Sequence, residues 1–274
     1  MKHLFQALSA WPLPLLHAIG AALGWLAWLG SPTYRRRFMA NAARAGLRFA
    51  QVRRAVAESG KLVAEVPRLW FGETPRVEWI GREVIEAARA AGRGIVFLTP
   101  HLGCFEVTAQ AYAAQFGPIT VLYRPARKPW LRDLVATARG RPNLATAPTT
   151  LAGVRQMLRV LRAGGAVGLL PDQVPPQGMG VWSSFFGAPV CCTSRAGSVI
   201  VYAGALPVLA WGERLDGGRG YRVHVMPFEG SLDLSPEAAA SAINAQMERL
   251  VRAAPAQYLW GYARYKQPRR EAAA

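Results

Sequence analysis

His101 and Glu106 are the residues whose types and spacing most directly suggest chemistry. His101 closes an apolar run, Gly94-Ile95-Val96-Phe97-Leu98-Thr99-Pro100, and Glu106 follows across Leu102-Gly103-Cys104-Phe105. The run reads as a strand, the segment after it as a sharp turn, and 106–116 as a helix. Five residues along one helix would point two side chains apart. A His before the helix and a Glu in its first turn can instead meet across the turn. An imidazole titrates near neutrality and can take a proton from an alcohol, and a carboxylate on its other nitrogen fixes the tautomer. The same spacing also suits a capping His and a first-turn Glu favoured by the helix dipole.

The surrounding chain reads as alternating strand and helix from Val77 onward. Helices are expected at 83–91, 106–116, 129–139 and 150–163, and strands at 94–99, 119–124 and 166–170. Segments 206–213 and 221–226 flank Asp216-Gly217-Gly218 and read as a hairpin. Ser235-Pro236-Glu237 opens a last amphipathic helix. This order predicts an α/β fold, a mixed sheet flanked by helices. Polar residues stand where strands should end, which is where such folds place ligand sites. Arg124, after Tyr123, is a candidate for phosphate or oxyanion contact, or a surface charge beside a turn. Asp172, in Pro171-Asp172-Gln173, is a site candidate or a turn residue. A Gly/Pro loop is expected from Gly178 to Gly187, and Phe185-Phe186 reads as core or ligand wall.

Lys and Arg number 33 against 16 Asp and Glu, a net charge of +17 that implies anionic partners. Hydrophobic residues make up 51% of the chain and Trp occurs nine times, a composition that disfavours a soluble nucleic-acid binder and suits membrane contact. The three cysteines, Cys104, Cys191 and Cys192, have neither disulfide nor metal spacing. Cys104 inside the His101 turn is a secondary candidate nucleophile. No Lys, Arg, Asp or Glu occurs from Leu4 to Gly30, and Leu13 to Leu29 approaches the ~20 residues that span a bilayer. With no small-x-small cleavage site before Pro32 and Arg35-Arg36-Arg37 following, the segment reads as a retained anchor, spanning or interfacial. Seven arginines between Arg35 and Arg54, interleaved with apolar residues, read as a basic amphipathic region on an anionic membrane surface.

In these motifs the chain resembles the lipid A biosynthesis (lauroyl/myristoyl) acyltransferase family over almost its whole length. The resemblance rests on the Gly94–Phe97 run into His101-x4-Glu106, then Tyr123-Arg124-Pro125, Gly140-Arg141, Pro171-Asp172 and Phe185-Phe186-Gly187 through Thr193. Gly218-x-Gly220-Tyr221 and Pro255-x-Gln257-Tyr258-Leu259-Trp260 follow, with Arg264 and Lys266 behind. It implies a glycerolipid-acyltransferase-like fold, transfer of a fatty acyl chain from acyl carrier protein to a 3-hydroxyacyl hydroxyl on a lipid A precursor, and no cofactor. It implies His101 and Glu106 as catalytic residues and Arg124, Arg141 and Asp172 as substrate-binding ones. The Arg139/Arg141 pair and Arg124 suit a multiply phosphorylated acceptor. The expected organisation is an anchor at 1–32, a basic helical region at 33–76, the acyltransferase domain at 77–266 and a flexible tail at 267–274. The expected location is the inner membrane, with the catalytic body on its cytoplasmic side and membrane lipids as partners. Two positions depart from the family: Gln173 or Val174 stands where a second acid is usual, and Tyr262-Ala263 where a His-Arg pair is usual. A lysophospholipid or glycerol-phosphate acyltransferase is the alternative, although its Glu-Gly-Thr-Arg-like block is absent. A basic membrane-associated binding protein with a structural His101 is the non-enzymatic one.

Overall fold

The computed structural model describes residues 2–123, 141–193, 195–232 and 235–269. Arg124, Arg139 and the helix expected at 129–139 lie outside the described residues. Six helices precede the first strand among them: α1 (Lys2–Ser9), α2 (Leu13–Gly30), α3 (Pro32–Arg44), α4 (Phe49–Val52), α5 (Arg54–Ala64) and α6 (Val66–Phe71). Ser31 caps α3, its Oγ accepting from Tyr34 N at 3.3 Å, and Pro32 fits the first helical turn.

The body is built on a seven-stranded sheet in the order β1-β9-β8-β2-β5-β3-β4. Its strands are β1 (Val77–Ile80), β2 (Ile95–Leu98), β3 (Ile119–Tyr123), β4 (Leu144–Pro148), β5 (Ala166–Leu169), β8 (Leu206–Arg214) and β9 (Tyr221–Pro227). Pairing is parallel except between β8 and β9, which form the expected antiparallel hairpin. Ile-Val-Phe-Leu in β2 and Ala-Val-Gly-Leu in β5 are buried at every position, as continuous apolar strands at the centre of a covered parallel sheet should be. Ile95 and Phe97 point to the layer carrying α7 (Arg82–Ala90) and α8 (Phe105–Gln115). Val96 and Leu98 point to the opposite layer with the helices Leu151–Arg162, Arg195–Ala203 and Pro236–Ala253.

The Gly/Pro loop expected up to Gly187 is instead largely a second sheet. Gly180–Phe185 (β6) and Ala188–Thr193 (β7) pair antiparallel. Phe186 and Gly187, at φ of 47° and 72°, make a left-handed two-residue turn whose twist suits a hairpin. Glu248 Oε1 accepts from Phe186 N at 2.6 Å, and both Phe185 and Phe186 belong to the core. The β4 strand, too, is absent from the expectations. Its five residues lie at the sheet edge with a mixed burial pattern, which gives little periodic signal.

The α2 helix is packed on the body along α5. A Cβ on Gly60 would stand 1.9 Å from Gly20 O, and one on Gly24 would stand 2.3 Å from Val56 O, so only glycine allows this backbone contact. Beneath the seam lies a buried ion cluster. His17 Nε2 meets Glu65 Oε2 at 3.0 Å, and Arg214 of β8 donates to Glu65 Oε1 at 2.6 Å and to Glu58 Oε2 at 3.4 Å. Tyr221 donates to Glu65 Oε2 at 3.0 Å. Five polar side chains, His17, Glu58 and Glu65 from the N-terminal helices and Arg214 and Tyr221 from β8 and β9, therefore join those helices to the sheet.

Candidate active site

Register brings the two chemical turns together. Leu98 of β2 pairs with Leu169 of β5 in parallel, so the residues three past each strand end, His101 and Asp172, emerge side by side. Both stand directly after a proline, which keeps the preceding residue extended. Asp172 Oδ1 lies 2.6 Å from His101 Nδ1, and its Oδ2 accepts from His101 N at 2.8 Å. An ionised carboxylate only accepts, so the ring proton sits on Nδ1 and the Nε2 lone pair is left for a second donor. That donor is the Gln173 amide, with Nε2 at 2.8 Å from His101 Nε2. Burial pushes the Asp172 carboxyl up, but the His101 ring, its two hydrogen bonds and the Arg264 guanidinium hold it below the usual carboxylate range. Asp172 is 2% exposed and therefore stays ionised in a dry setting because His101 faces it.

The turn itself is held from several sides. Gly103, at φ +58°, lies so close to β8 that a Cβ would stand 2.0 Å from Gly212 O. Gly103 N donates to Gln257 O at 3.0 Å, Cys104 N to Gly212 O at 2.7 Å, and Leu259 N to His101 O at 3.2 Å. Arg214, from the buried cluster, donates to Gly103 O at 2.9 Å. Phe105 packs edge-on to the imidazole at 4.8 Å. The ring thus has few orientations open to it.

His101 lines a cavity of about 430 Å³ that runs between the sheet and the α7/α8 layer. Phe97, Tyr112, Ile119, Leu169 and Val223 supply apolar wall, and Glu106 and Gln173 are among its polar lining groups. Glu106, half-buried in the first turn of α8, shares this cavity with His101, whereas the carboxylate bonded to the imidazole is Asp172. Asp172 comes from 71 residues further along the chain. The repeated signature, a four-residue apolar strand, one residue, a proline and then His or Asp, is the signal that pairs them in sequence. Gln173 was legible only as a departure from the family pattern. Tyr262, the other departure, is at the site as well: its hydroxyl accepts from Val174 N at 3.0 Å.

Arg141 is used differently from the expected phosphate contact. Its guanidinium donates to Thr74 Oγ1 at 3.0 Å, to Gly72 O at 2.7 Å and to Leu69 O, binding the carbonyls that end α6. Partial burial lowers its pKa from the ordinary arginine value. Cys104 is fully buried, and burial with the nearby Glu65 charge pushes its thiol well above the ordinary range, which removes the thiolate a nucleophile needs.

A sequence profile of bacterial lipid A biosynthesis acyltransferases matches residues 3–267. The chain belongs to this family. It is 26% identical to the lipid A biosynthesis lauroyltransferase of Escherichia coli K12 over 93% of this chain and 86% of that protein. The palmitoleoyltransferase of the same organism matches at 26% over the same shares. A lipid A biosynthesis acyltransferase of Haemophilus influenzae is 29% identical over 68% of this chain, and that match spans 58% of its length. The two Escherichia coli relatives are named for different acyl groups, lauroyl and palmitoleoyl.

Proposed function

We propose that the protein transfers a fatty acyl chain from acyl carrier protein to the hydroxyl of a 3-hydroxyacyl chain on a lipid A precursor, at the cytoplasmic side of the inner membrane. The observation that carries this reading is the His101–Asp172 pair at the wall of a mainly apolar cavity of about 430 Å³. The acyl chain of the thioester lies in the cavity, and the acceptor hydroxyl takes the place of the Gln173 amide at His101 Nε2. His101 takes the hydroxyl proton as the oxygen attacks the thioester carbon. The C–O bond forms, the C–S bond breaks, and the imidazolium returns the proton to the departing thiolate. Asp172 holds the tautomer and stabilises the imidazolium. Glu106, as a second carboxylate on the cavity wall, adds negative potential beside the same ring. The +17 charge suits an acidic carrier, a phosphorylated acceptor and an anionic leaflet together.

Purified protein given acyl-acyl carrier protein should acylate a lipid A precursor and leave lysophosphatidic acid largely unmodified. Preference for lysophosphatidic acid would replace this reading by the glycerolipid one, and a deletion strain with unchanged lipid A would reject it. Arg124, carried over from the family resemblance, is expected to contact acceptor phosphate. Arg124→Ala should lower kcat/KM for the lipid A precursor by roughly ten- to a hundredfold, the loss of one charged hydrogen bond.

Cavity size bears on the donor. If a methylene takes about the ~30 Å³ of a liquid water, 430 Å³ holds on the order of a dozen. Ala109 of α8 lines the cavity, and Ala109→Leu should shift donor preference to chains shorter by roughly two to four carbons. Each excluded methylene forfeits ~0.8 kcal/mol of burial. Competition between donors of graded length reads the shift, and an unchanged preference would place the acyl chain elsewhere.

A further inference from the structure

We infer that α2 lies in the plane of one membrane leaflet, its outer face in hydrocarbon and its inner face fixed to the protein, and does not cross the bilayer. The inference rests on the membrane location proposed above and is independent of donor and acceptor. At ~1.5 Å per residue the 18-residue α2 is ~27 Å long, close to the ~30 Å hydrocarbon core, so length alone does not decide its orientation. Its two faces do. Leu15, Ile19, Leu23, Leu26 and Leu29 recur at helical spacing on the outer side and are 46%, 37%, 51%, 63% and 68% exposed. The inner side carries Gly20 and Gly24 against α5 and His17 against Glu65.

A docked α2 that crossed the bilayer would carry α5 with it, including Arg54, Glu58 and Lys61. It would also draw in the end of β8 through Arg214, whose partners Glu65 and Glu58 anchor the seam. An undocked α2 would expose three backbone-contact glycines and strip the buried Glu65 of His17. Lying in the plane avoids both costs, because only the apolar face meets lipid and the ion cluster remains sealed under it. Charge fits the same placement. Arg36, Arg37, Arg44, Arg48, Arg53 and Arg54 are exposed, and no acidic residue precedes Glu58, so the segment beside α2 suits anionic headgroups. The seat also reaches the catalytic turn: Arg214, which grips Glu65 beneath α2, donates to Gly103 O two residues from His101. A lipid acceptor would then approach His101 from the leaflet in which α2 lies.

Sidedness tests this directly. Single cysteines at exposed positions, Gln6→Cys before α2 and Gln267→Cys after the body, are labelled with a membrane-impermeant maleimide in the full-length chain, where the three native cysteines are buried. Both should react in inverted inner-membrane vesicles and neither in intact spheroplasts. Reaction of Gln6→Cys only from the spheroplast side would overturn the inference while leaving the acyltransferase reading intact. A second variant, Leu23→Glu with Leu26→Glu, should lower binding to vesicles of phosphatidylethanolamine and phosphatidylglycerol at least tenfold and keep transfer in detergent within about twofold. Unchanged vesicle binding would overturn the lipid seat, as would a dimer of the unmodified chain that these two changes dissolve. Loss of transfer in detergent from the unmodified chain would instead count against the proposed function.

Discussion

His101→Ala is expected to lower acyl transfer by ~10²–10⁴-fold with the fold intact, the usual cost of losing a general base. The geometry adds a sharper companion. Asp172→Asn keeps the shape of the pair but gives the ring a neighbour that can donate. The proton on Nδ1 then loses its acceptor, the tautomer with hydrogen on Nε2 becomes favourable, and no lone pair faces the acceptor hydroxyl. A loss on the order of 10³–10⁴-fold in kcat is expected, with far less change in KM. Glu106→Ala should also be severe, because it removes a carboxylate from the wall beside the same imidazole. Wild-type turnover in a folded His101→Ala protein would end the mechanism, and wild-type turnover in Asp172→Asn would leave only Glu106 to assist the base. Because His101 holds the Asp172 carboxyl below its ordinary range, the stabilisation this pair contributes is present above the usual carboxylate pKa. It is lost only as pH falls through the depressed value.

The second large effect falls on stability. Arg214→Met should destabilise the protein by ~3–5 kcal/mol, since it leaves Glu65 and Glu58 buried without their guanidinium. Against a typical total of ~5–15 kcal/mol this is a large fraction. Restoring neutrality with Glu65→Gln and Glu58→Gln in the same chain should recover much of it, because a buried cluster is costly mainly when half of it is removed. Denaturant midpoints in detergent report both steps, and a single variant as stable as the parent would mean that water enters the cluster. Acid provides an independent readout. Burial pushes the Glu65 carboxyl up, yet Arg214 and His17 outweigh it and hold it at about 2, from an ordinary 4.5. Its stabilisation is therefore complete above pH 4.5 and lost as pH falls from there towards 2. Glu65→Gln should flatten this part of the unfolding curve, and a curve parallel to the parent's would remove Glu65 from the account.

Much of the frame was legible in the sequence because its signals are local. The Ile95–Leu98 and Ala166–Leu169 runs are short, apolar and followed by proline, so strands and their ends could be read directly. The uncharged Leu4–Gly30 stretch, the arginines after it and the hairpin around Gly217-Gly218 were equally plain. The ordered motifs were sufficient to reach the family. Signals that depend on which strands become neighbours were not legible. Proximity along the chain favoured Glu106 as the partner of His101, but the parallel register of β2 and β5 brings Asp172 to the ring. Arg141 looked like a phosphate ligand because its charge is local, whereas its use is tertiary: the α6 carbonyls that take its hydrogen bonds lie some seventy residues earlier.

The same division holds at the N-terminus. Sequence alone determined that α2 is apolar and long enough to meet a membrane, since both properties belong to the segment itself. Only the tertiary structure decided that one of its faces is already taken, because contact between Gly20, Gly24 and Gly60 and the pairing of His17 with Glu65 need two distant helices in register. Apolar character is a sum over residues and can be read one residue at a time. A hydrogen bond or a backbone contact requires a particular partner within about 3 Å, and the folded chain selects that partner.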